Sequence, residues 1–422
     1  MTQRPDGGPS MYRWYVLSIL ILVYMMHHLD RVVFSLLQEP IKEEFNLSDA
    51  QLALVSGTAF AIAFGIAGLP LGYLADRTRR VTLLSLIVAA WSGLTAVASF
   101  ATHFLHLLAL RVFIGAAESG STPTNLAIIS DYFKDKRSIA IGFYMMGAQL
   151  GTLVGFALTG FVAVHYGWRA ALLAAGIPGV FLIVLLLLTV HEPLRQTEQR
   201  SGSFFEGLRE IGRNTTLVHL IGATTIANVV APGISIWLPS LLMRAGGQDI
   251  GWTGLAIALT TAPIGILGTL LAGAVSEKIG TTNPALMTRI MAFLAFLYVP
   301  AILIAVSGGP WIMLAGFCAH LFFHMFVSTP GYALCLNISP PSLRGSTTAI
   351  LQVLSNLIGF GVGPLVGGVL SDALKPQFGD DSLRYALGIY VFLIFWAVFH
   401  LLRASWLFSH RPADAPAQPT AA

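Results

Sequence analysis

Long apolar stretches separated by short polar joints run along almost the whole of this chain. They fall near residues 12–37, 51–75, 81–102, 104–129, 139–166 and 170–190, then near 216–243, 252–276, 286–306, 311–337, 346–374 and 383–408. Each is close to the roughly 20 apolar residues that a helix needs to cross hydrocarbon. Between the sixth and seventh lies a polar stretch, 191–215, with four arginines and several Gln, Ser and Glu residues. The pattern predicts an all-α integral membrane fold with twelve transmembrane helices. It divides into a tail at 1–11, a six-helix bundle at 12–190, a central loop at 191–215, a second six-helix bundle at 216–408 and a tail at 409–422.

Composition narrows the class. The chain of 422 residues is 55% hydrophobic and 10% charged, whereas a soluble domain is typically about 25% charged. A soluble protein with a greasy core is excluded, because the apolar runs are too many and too long. The net charge of +4 comes with no basic arm or basic-aromatic stripe, so no nucleic-acid partner is expected. Cys318 and Cys335 lie in one apolar segment, about 25 Å apart if helical, too far to pair. The polar N-terminal residues carry no apolar run with a small-residue cleavage site, so no removable signal is expected and the first helix serves as its own insertion signal. The Pro/Ala-rich tail is expected to be disordered.

Orientation follows from the basic residues. About 17 of the 24 Lys and Arg residues fall in loops on the side of the N-terminus and about five on the other. That bias predicts cytoplasmic termini and a cytoplasmic central loop in a plasma (inner) membrane. The two exceptions, Arg31 and Arg111, lie inside apolar segments.

The two halves echo each other. Gly72, Asp76 and Arg77 follow the second segment, and Gly273, Glu277 and Lys278 follow the eighth, 201 positions on. A weaker echo links Arg137, opening the fifth segment, with Arg344, opening the eleventh. Recurrence at the matching loop of each half predicts pseudo-symmetric bundles.

Gly-x-x-x-Asp-Arg in the loop after the second helix is the signature of the major facilitator superfamily, and nearly the whole chain is similar to that family. The first copy lacks the usual second Gly; the later copy has it at Gly280. Leu29, Asp30 and Arg31, the stretch Glu39 to Leu52, the run Arg111 to Glu118, and Ser130, Asp131 and Phe133 resemble the bacterial spinster-like branch. His27 and His28 stand where that branch usually has Asn and Tyr. The resemblance implies alternating access and proton-linked movement of a lysolipid-like or sphingoid amphiphile, or of another small organic solute. Organic-anion symporters of the same superfamily have a similar fourth helix.

Charges inside the membrane point to the same places. A charge at the centre of a membrane helix costs about 2.5–3.5 kcal/mol on insertion scales and marks a functional hypothesis. Asp30, Arg31, Arg111 and Glu118 qualify. Arg111 and Glu118 share a helix face about 10 Å apart along the axis, while Asp30 and Arg31 point about 100° apart. Burial favours the protonated form of a carboxyl and a nearby arginine favours the charged form. Asp30 and Glu118 are therefore candidate proton sites, with Arg111 setting their affinity. The alternative is a set of structural ion pairs. Arg31, His27, Tyr144, Gln149, Asn228, Trp237 and His324 are candidates for a substrate cavity, and His27, one turn before Asp30, for modulating it.

Asp76, Arg77, Arg80, Asp131, Arg137, Glu277 and Lys278 form a candidate cytoplasmic gate. In it Arg77 or Arg80 reaches Asp131, and Asp76 faces the start of the eleventh helix. Glycines at 147, 151, 155 and 160, and at 359, 361, 363, 367 and 368, predict close helix packing. His320 and His324, one turn apart, lack a third ligand, so no metal site is expected. The Gly-rich run 115–122 lacks the lysine of a phosphate loop.

The functional expectation is a secondary active transporter, not an enzyme, driven by a proton gradient with no bound cofactor, and monomeric. Its partners are the bilayer and a small-molecule or lipid-like substrate. Within the superfamily the alternatives are an organic anion/proton symporter or a drug efflux antiporter. Outside it, a channel would require charge rings or a carbonyl filter, and no such repeat is present.

Overall fold

A computed structural model describes residues 10–133, 135–193, 209, 211–340 and 343–410, the side chains of Ser10, Leu69, Asp76 and Ser138 excepted. Lys134 and most of the expected central loop and tails lie outside these residues. The described chain is helical throughout its long apolar stretches. In order come α1 (Ser10–Leu36), α2 (Gln38–Phe45), α3 (Asp49–Ala53), a π turn at Leu54–Thr58, α4 (Ala59–Arg77), α5 (Arg80–Ala98), α6 (Phe104–Glu118), α7 (Ser121–Tyr132), α8 (Arg137–Gly176) and α9 (Pro178–Thr189). The later part holds α10 (Thr215–Ser235), α11 (Leu238–Arg244), α12 (Ile250–Val275), a π turn at Ser276–Gly280, α13 (Pro284–Ala305), α14 (Pro310–Ile338), α15 (Arg344–Val353), a π turn at Leu354–Phe360, α16 (Gly361–Phe378), α17 (Ser382–Gly388) and α18 (Val391–Ser409).

Among the described residues nine helical stretches are long and apolar enough to cross a membrane. Two of them, of 51 and 66 residues, each hold two of the predicted crossings. The break in the first of these is Gly167, whose φ of 80° lies in the left-handed region. The fourth crossing falls outside the nine because the chain is interrupted between Glu118 and Ser121, leaving α6 and α7 as separate helices. The second crossing starts two residues earlier than its apolar pattern. Ser48 and Gln51 form a capping box there, Ser48 Oγ accepting from Gln51 N at 3.2 Å and Gln51 Oε1 from Ser48 N at 2.9 Å.

The chain divides into two compact units. One comprises Met1–Glu198 with Gln248–Ala262, the other Gln199–Gly247 with Pro263–Ala422. In the first, α1 lies against α8 through the glycine stripe. A Cβ at Gly147, Gly151 or Gly155 would meet Ile21 O at 2.8 Å, Met25 O at 2.3 Å or Val32 Cγ2 at 2.5 Å. In the second, Gly359 and Gly363 bring their segment equally close to α10. A Cβ at either would stand 2.4 Å from the carbonyl oxygen of Asn228 or Val229. The fifth segment therefore packs on the first, and the eleventh on the seventh, by one device.

The core of the second unit gathers Leu220, Met291, Leu334, Leu351 and Leu401, all buried. Outward faces are apolar as well: on α18, Phe392, Trp396, Phe399 and Trp406 are exposed. A water-soluble protein rarely presents such a face, whereas a lipid-embedded helix requires one.

Candidate functional site

The first unit gathers four charged side chains in one region, Asp30, Arg111 and Glu118 buried and Arg31 partly so. Asp30 and Arg31 come from the last third of α1, Arg111 and Glu118 from α6. Asp30, Arg111 and Glu118 are 3%, 1% and 0% exposed. Adjacent positions on α1 send Asp30 and Arg31 to different partners.

Arg111 Nη1 lies 3.3 Å from Asp30 Oδ2. The Thr95 hydroxyl of α5 donates to the other carboxylate oxygen. Arg111 also donates through Nε to Val55 O at 2.9 Å and through Nη2 to Ser56 O at 3.5 Å. Both carbonyls belong to the π turn at Leu54–Thr58. A π turn disturbs the i→i−4 ladder, and here the guanidinium fills the disturbed place. Its flat faces meet aromatic rings, with Cζ 4.2 Å from the Phe34 centroid and 4.7 Å from that of Phe60.

Glu118 has a separate set of partners. His27 Nε2 stands 3.0 Å and Arg31 Nε 3.6 Å from its Oε2. Neither Glu118 oxygen gains a well-aligned hydrogen bond among the described residues. Arg31 lies over Phe60 and Phe64, at 4.9 and 4.8 Å. His27, a candidate for modulating Asp30, also stands against Glu118. The two carboxyl groups belong to one cluster, Asp30 through Arg111 and Glu118 through Arg31, the residue next to Asp30.

A glycine brings these helices together. A Cβ at Gly115 would stand 2.4 Å from Phe60 O, so only glycine lets α6 approach α4 closely enough for Arg111 to reach the π turn. Thr95, Val55, Phe34 and Phe60 complete the site, and sequence reading missed all four. Neither a lone threonine nor a carbonyl carries a signal in the chain.

The remaining candidates are dispersed. Tyr144 is fully buried, stacks on Tyr24 at 4.4 Å and accepts from Asn125 Nδ2 at 3.1 Å. Gln149 is partly exposed on α8. In the second unit, Asn228 Nδ2 donates to Ser355 Oγ at 3.0 Å, and Tyr332 shares the same hydroxyl at 2.6 Å. Trp237 is sealed, its Nε1 donating to Pro364 O at 2.9 Å, so it supports a helix rather than facing an open cavity. His324 is 8% exposed, its ring 6.3 Å from that of Tyr298.

Of the gate candidates, Arg80 pairs with Asp131 and also donates to Ala127 O at 3.4 Å. Arg77 turns instead onto the Tyr73 ring, 4.1 Å from its centroid. Arg137, Glu277 and Lys278 are exposed; the Asp76 side chain lies outside the described residues. The two copies of the loop differ in shape. The first ends α4 with Thr78 and Arg79 extended, the second closes in the π turn Ser276–Gly280. Sequence reading also missed Glu192. Its carboxylate accepts from the backbone N–H groups of Arg80 and Val81, the latter at 3.0 Å, and so caps the start of α5. Beside it, Tyr132 donates to His191 O at 2.7 Å and His191 N donates to Tyr12 Oη at 2.9 Å.

Known proteins share this sequence and fold. The Major Facilitator Superfamily model matches residues 20–364. An MFS-type efflux pump of Mycolicibacterium smegmatis is 26% identical over 391 residues, covering 92% of this chain and 91% of its own. Protein spinster homolog 1 of Xenopus tropicalis is 26% identical over 417 residues, covering 90% of this chain and 79% of its own. A bacterial homolog to the human lysosomal transporter Spinster, solved in an inward-facing and unoccupied conformation, aligns with a TM-score of 0.85 at 27% identity, over 95% of this chain and 98% of that one. These matches span the helices that carry the buried charges and the Gly72 loop, and the chain belongs to the major facilitator superfamily, as a membrane transporter that resembles the spinster-like branch.

Proposed function

We propose that this transporter is proton-coupled and moves a lysolipid-like or sphingoid amphiphile, or another small organic solute, by alternating access between two six-helix halves. The observation that carries the reading is the buried set Asp30–Arg111 and Glu118–Arg31–His27. Two neighbouring carboxyl groups repel when both are ionised, and two arginines oppose that by favouring the charged forms. A set so balanced takes up or releases a proton when a small movement changes one distance. Asp30 and Glu118 are the proton sites, and Arg111 and Arg31 set their affinity. The Arg80–Asp131 pair, with Arg77, Arg137 and the Glu277 loop, belongs to the cytoplasmic gate. Both termini lie in the cytoplasm and the host is the inner membrane, as the basic loops suggest.

The decisive measurement is transport in proteoliposomes under an imposed pH gradient. Glu118→Gln and Asp30→Asn are expected to abolish gradient-driven accumulation while leaving exchange of substrate measurable. Normal coupling in both variants would refute the reading. The similarity to the Mycolicibacterium smegmatis efflux pump over nine-tenths of the chain favours a second reading within the class, outward movement of small amphiphilic compounds. Survival of expressing cells on toxic amphiphiles separates it from lysolipid traffic, which shows instead as lysolipid co-purifying with the protein.

A further inference from the structure

A second polar feature has no place in the charge set. It lies in the second unit, where the later part of α18 runs beside the start of α10. Residues 392, 396, 399, 403, 406 and 410 share one face of α18, because steps of three and four residues nearly complete a turn. Phe392, Trp396, Phe399 and Trp406 are all exposed along it. Arg403 Cζ stands 4.3 Å from the Trp406 centroid, and His410 stacks on the same ring at 4.5 Å. His400, three residues before Arg403, meets His219 of α10 Nδ1 to Nδ1 at 2.8 Å. The Phe399 ring lies 6.3 Å from His219 and the Trp396 ring 5.9 Å from His400. The Arg403 charge acts on His219.

At this separation one imidazole donates its Nδ1–H and the other accepts, so the accepting ring carries its proton on Nε2, away from its partner. Arg403 lies over Trp406, and among the described residues it makes no hydrogen bond and no ion pair. Its guanidinium donors are therefore unspent. Arg31 and Arg111, by contrast, each meet a carboxylate. The face thus presents a full positive charge and an imidazole donor with no anion of the protein set against them. We propose that it holds the headgroup of an anionic bilayer phospholipid, whose phosphodiester oxygens accept from Arg403 and from the His219–His400 pair.

Length favours a lipid over a free phosphate. From Arg403 back to Phe392 the helix runs about 16 Å, close to half of the roughly 30 Å hydrocarbon core. An acyl chain whose phosphate sits at Arg403 has Phe399, Trp396 and Phe392 beside it for the depth of one leaflet. Arg403 stands about 9 Å before the end of α18 at Ser409, and its guanidinium lies over Trp406, nearer that end. This is the way a long basic side chain reaches from apolar surroundings toward the headgroups, with the indole at the level of the aromatic belt. Charge sets the preference among lipids. A zwitterionic headgroup brings a cation of its own beside Arg403; an anionic one compensates it.

The test uses the full chain, delipidated in detergent and titrated with dioleoylphosphatidylglycerol or dioleoylphosphatidylcholine, with bound lipids counted by native mass spectrometry. The parent should retain phosphatidylglycerol in preference to phosphatidylcholine. Arg403→Gln and His219→Asn should each weaken that preference by about tenfold, the usual size of a lost hydrogen bond to a charged group. Thermal unfolding without lipid checks that each variant keeps the parent's fold. Arg289→Gln is the control: Arg289 reaches α18 at Ser405 and Ser409, on its other side. Removing that charge should change the preference by less than about twofold, since salt screens charges beyond about 8 Å. Millimolar glycerol phosphate should not displace the lipid. Equal affinity for the two lipids, an unchanged preference in Arg403→Gln or in His219→Asn, or an equal loss in Arg289→Gln would overturn the proposal. Displacement by glycerol phosphate would also overturn it, in favour of a site for soluble phosphates.

Discussion

Arg111 grips Asp30 from 3.3 Å while the same guanidinium holds two carbonyls of the neighbouring helix. The residue is thus both an ionic partner and a backbone clamp. A lysine, with a single ammonium, supplies the charge but not the planar fork that spans these acceptors.

Breaking this pair from one side leaves a buried charge alone. Arg111→Met is expected to lower stability by about 3–5 kcal/mol, the usual consequence of removing one member of a buried ion pair. Adding Asp30→Asn should recover more than half of that loss. Thermal unfolding in detergent reads the cycle; a double variant no more stable than Arg111→Met would show that the pair is not the source.

Glycine 115 offers a steric test. Gly115→Ala must push α6 from α4, because the new methyl meets Phe60 O. A loss of about 1–3 kcal/mol follows from overpacking, accompanied by loss of transport. Gly93→Ala, where nothing lies within 4 Å of the new Cβ, should leave the unfolding temperature unchanged or raise it slightly.

Outside the membrane, Glu44 makes a two-pronged pair with Arg169, at 2.6 and 2.7 Å, and accepts from Trp168 Nε1 at 2.7 Å. The Arg169 guanidinium, helped by Trp168, holds the Glu44 carboxyl below the usual glutamate range. The pair therefore contributes stability above the unfolded value of about 4.3, and that contribution is lost as pH falls through the lower folded value. Both side chains are about two-fifths exposed, so the contribution is at most about 1 kcal/mol. Unfolding temperatures of the parent and Glu44→Gln should converge below about pH 4 and separate at neutrality. A constant gap from pH 3 to 7 would contradict this.

Glu192 supplies a cap across more than a hundred residues of chain. Glu192→Ala should remove about 0.5–2 kcal/mol of support from the start of α5. Hydrogen exchange localises the effect: the amides of Arg80 and Val81 should exchange roughly fivefold faster, matching about 1 kcal/mol. Unaltered exchange there would show that water replaces the carboxylate without loss.

Much of this architecture can be read directly from the chain, because in lipid a helix must satisfy its own backbone and the apolar run marks its length. The charged residues 30, 31, 111 and 118 stand out for the same reason: charge is rare where hydration is absent. Their pairing is less legible. Arg111 and Glu118 share a face of one helix, yet they serve different carboxyl or basic partners, and that choice depends on which way α1 turns against α6. Thr95 and the carbonyls of Val55 and Ser56 are invisible to composition, because their role exists only once three helices meet. Gly115 reads as one more small residue until the oxygen opposite it is known.

The π turn at Leu54–Thr58 has a mechanical consequence. It stores one surplus residue in the ladder of the second crossing, and one residue of an α-helix corresponds to about 100° of rotation. If the Arg111 clamp lets go and the surplus is expelled or passed along, the part of the helix beyond it, down to Gly72 and Arg77, turns by that angle about its own axis. The charge set and the Gly72 loop then behave as the two ends of one screw, so that a changed distance at one end is read as torque at the other.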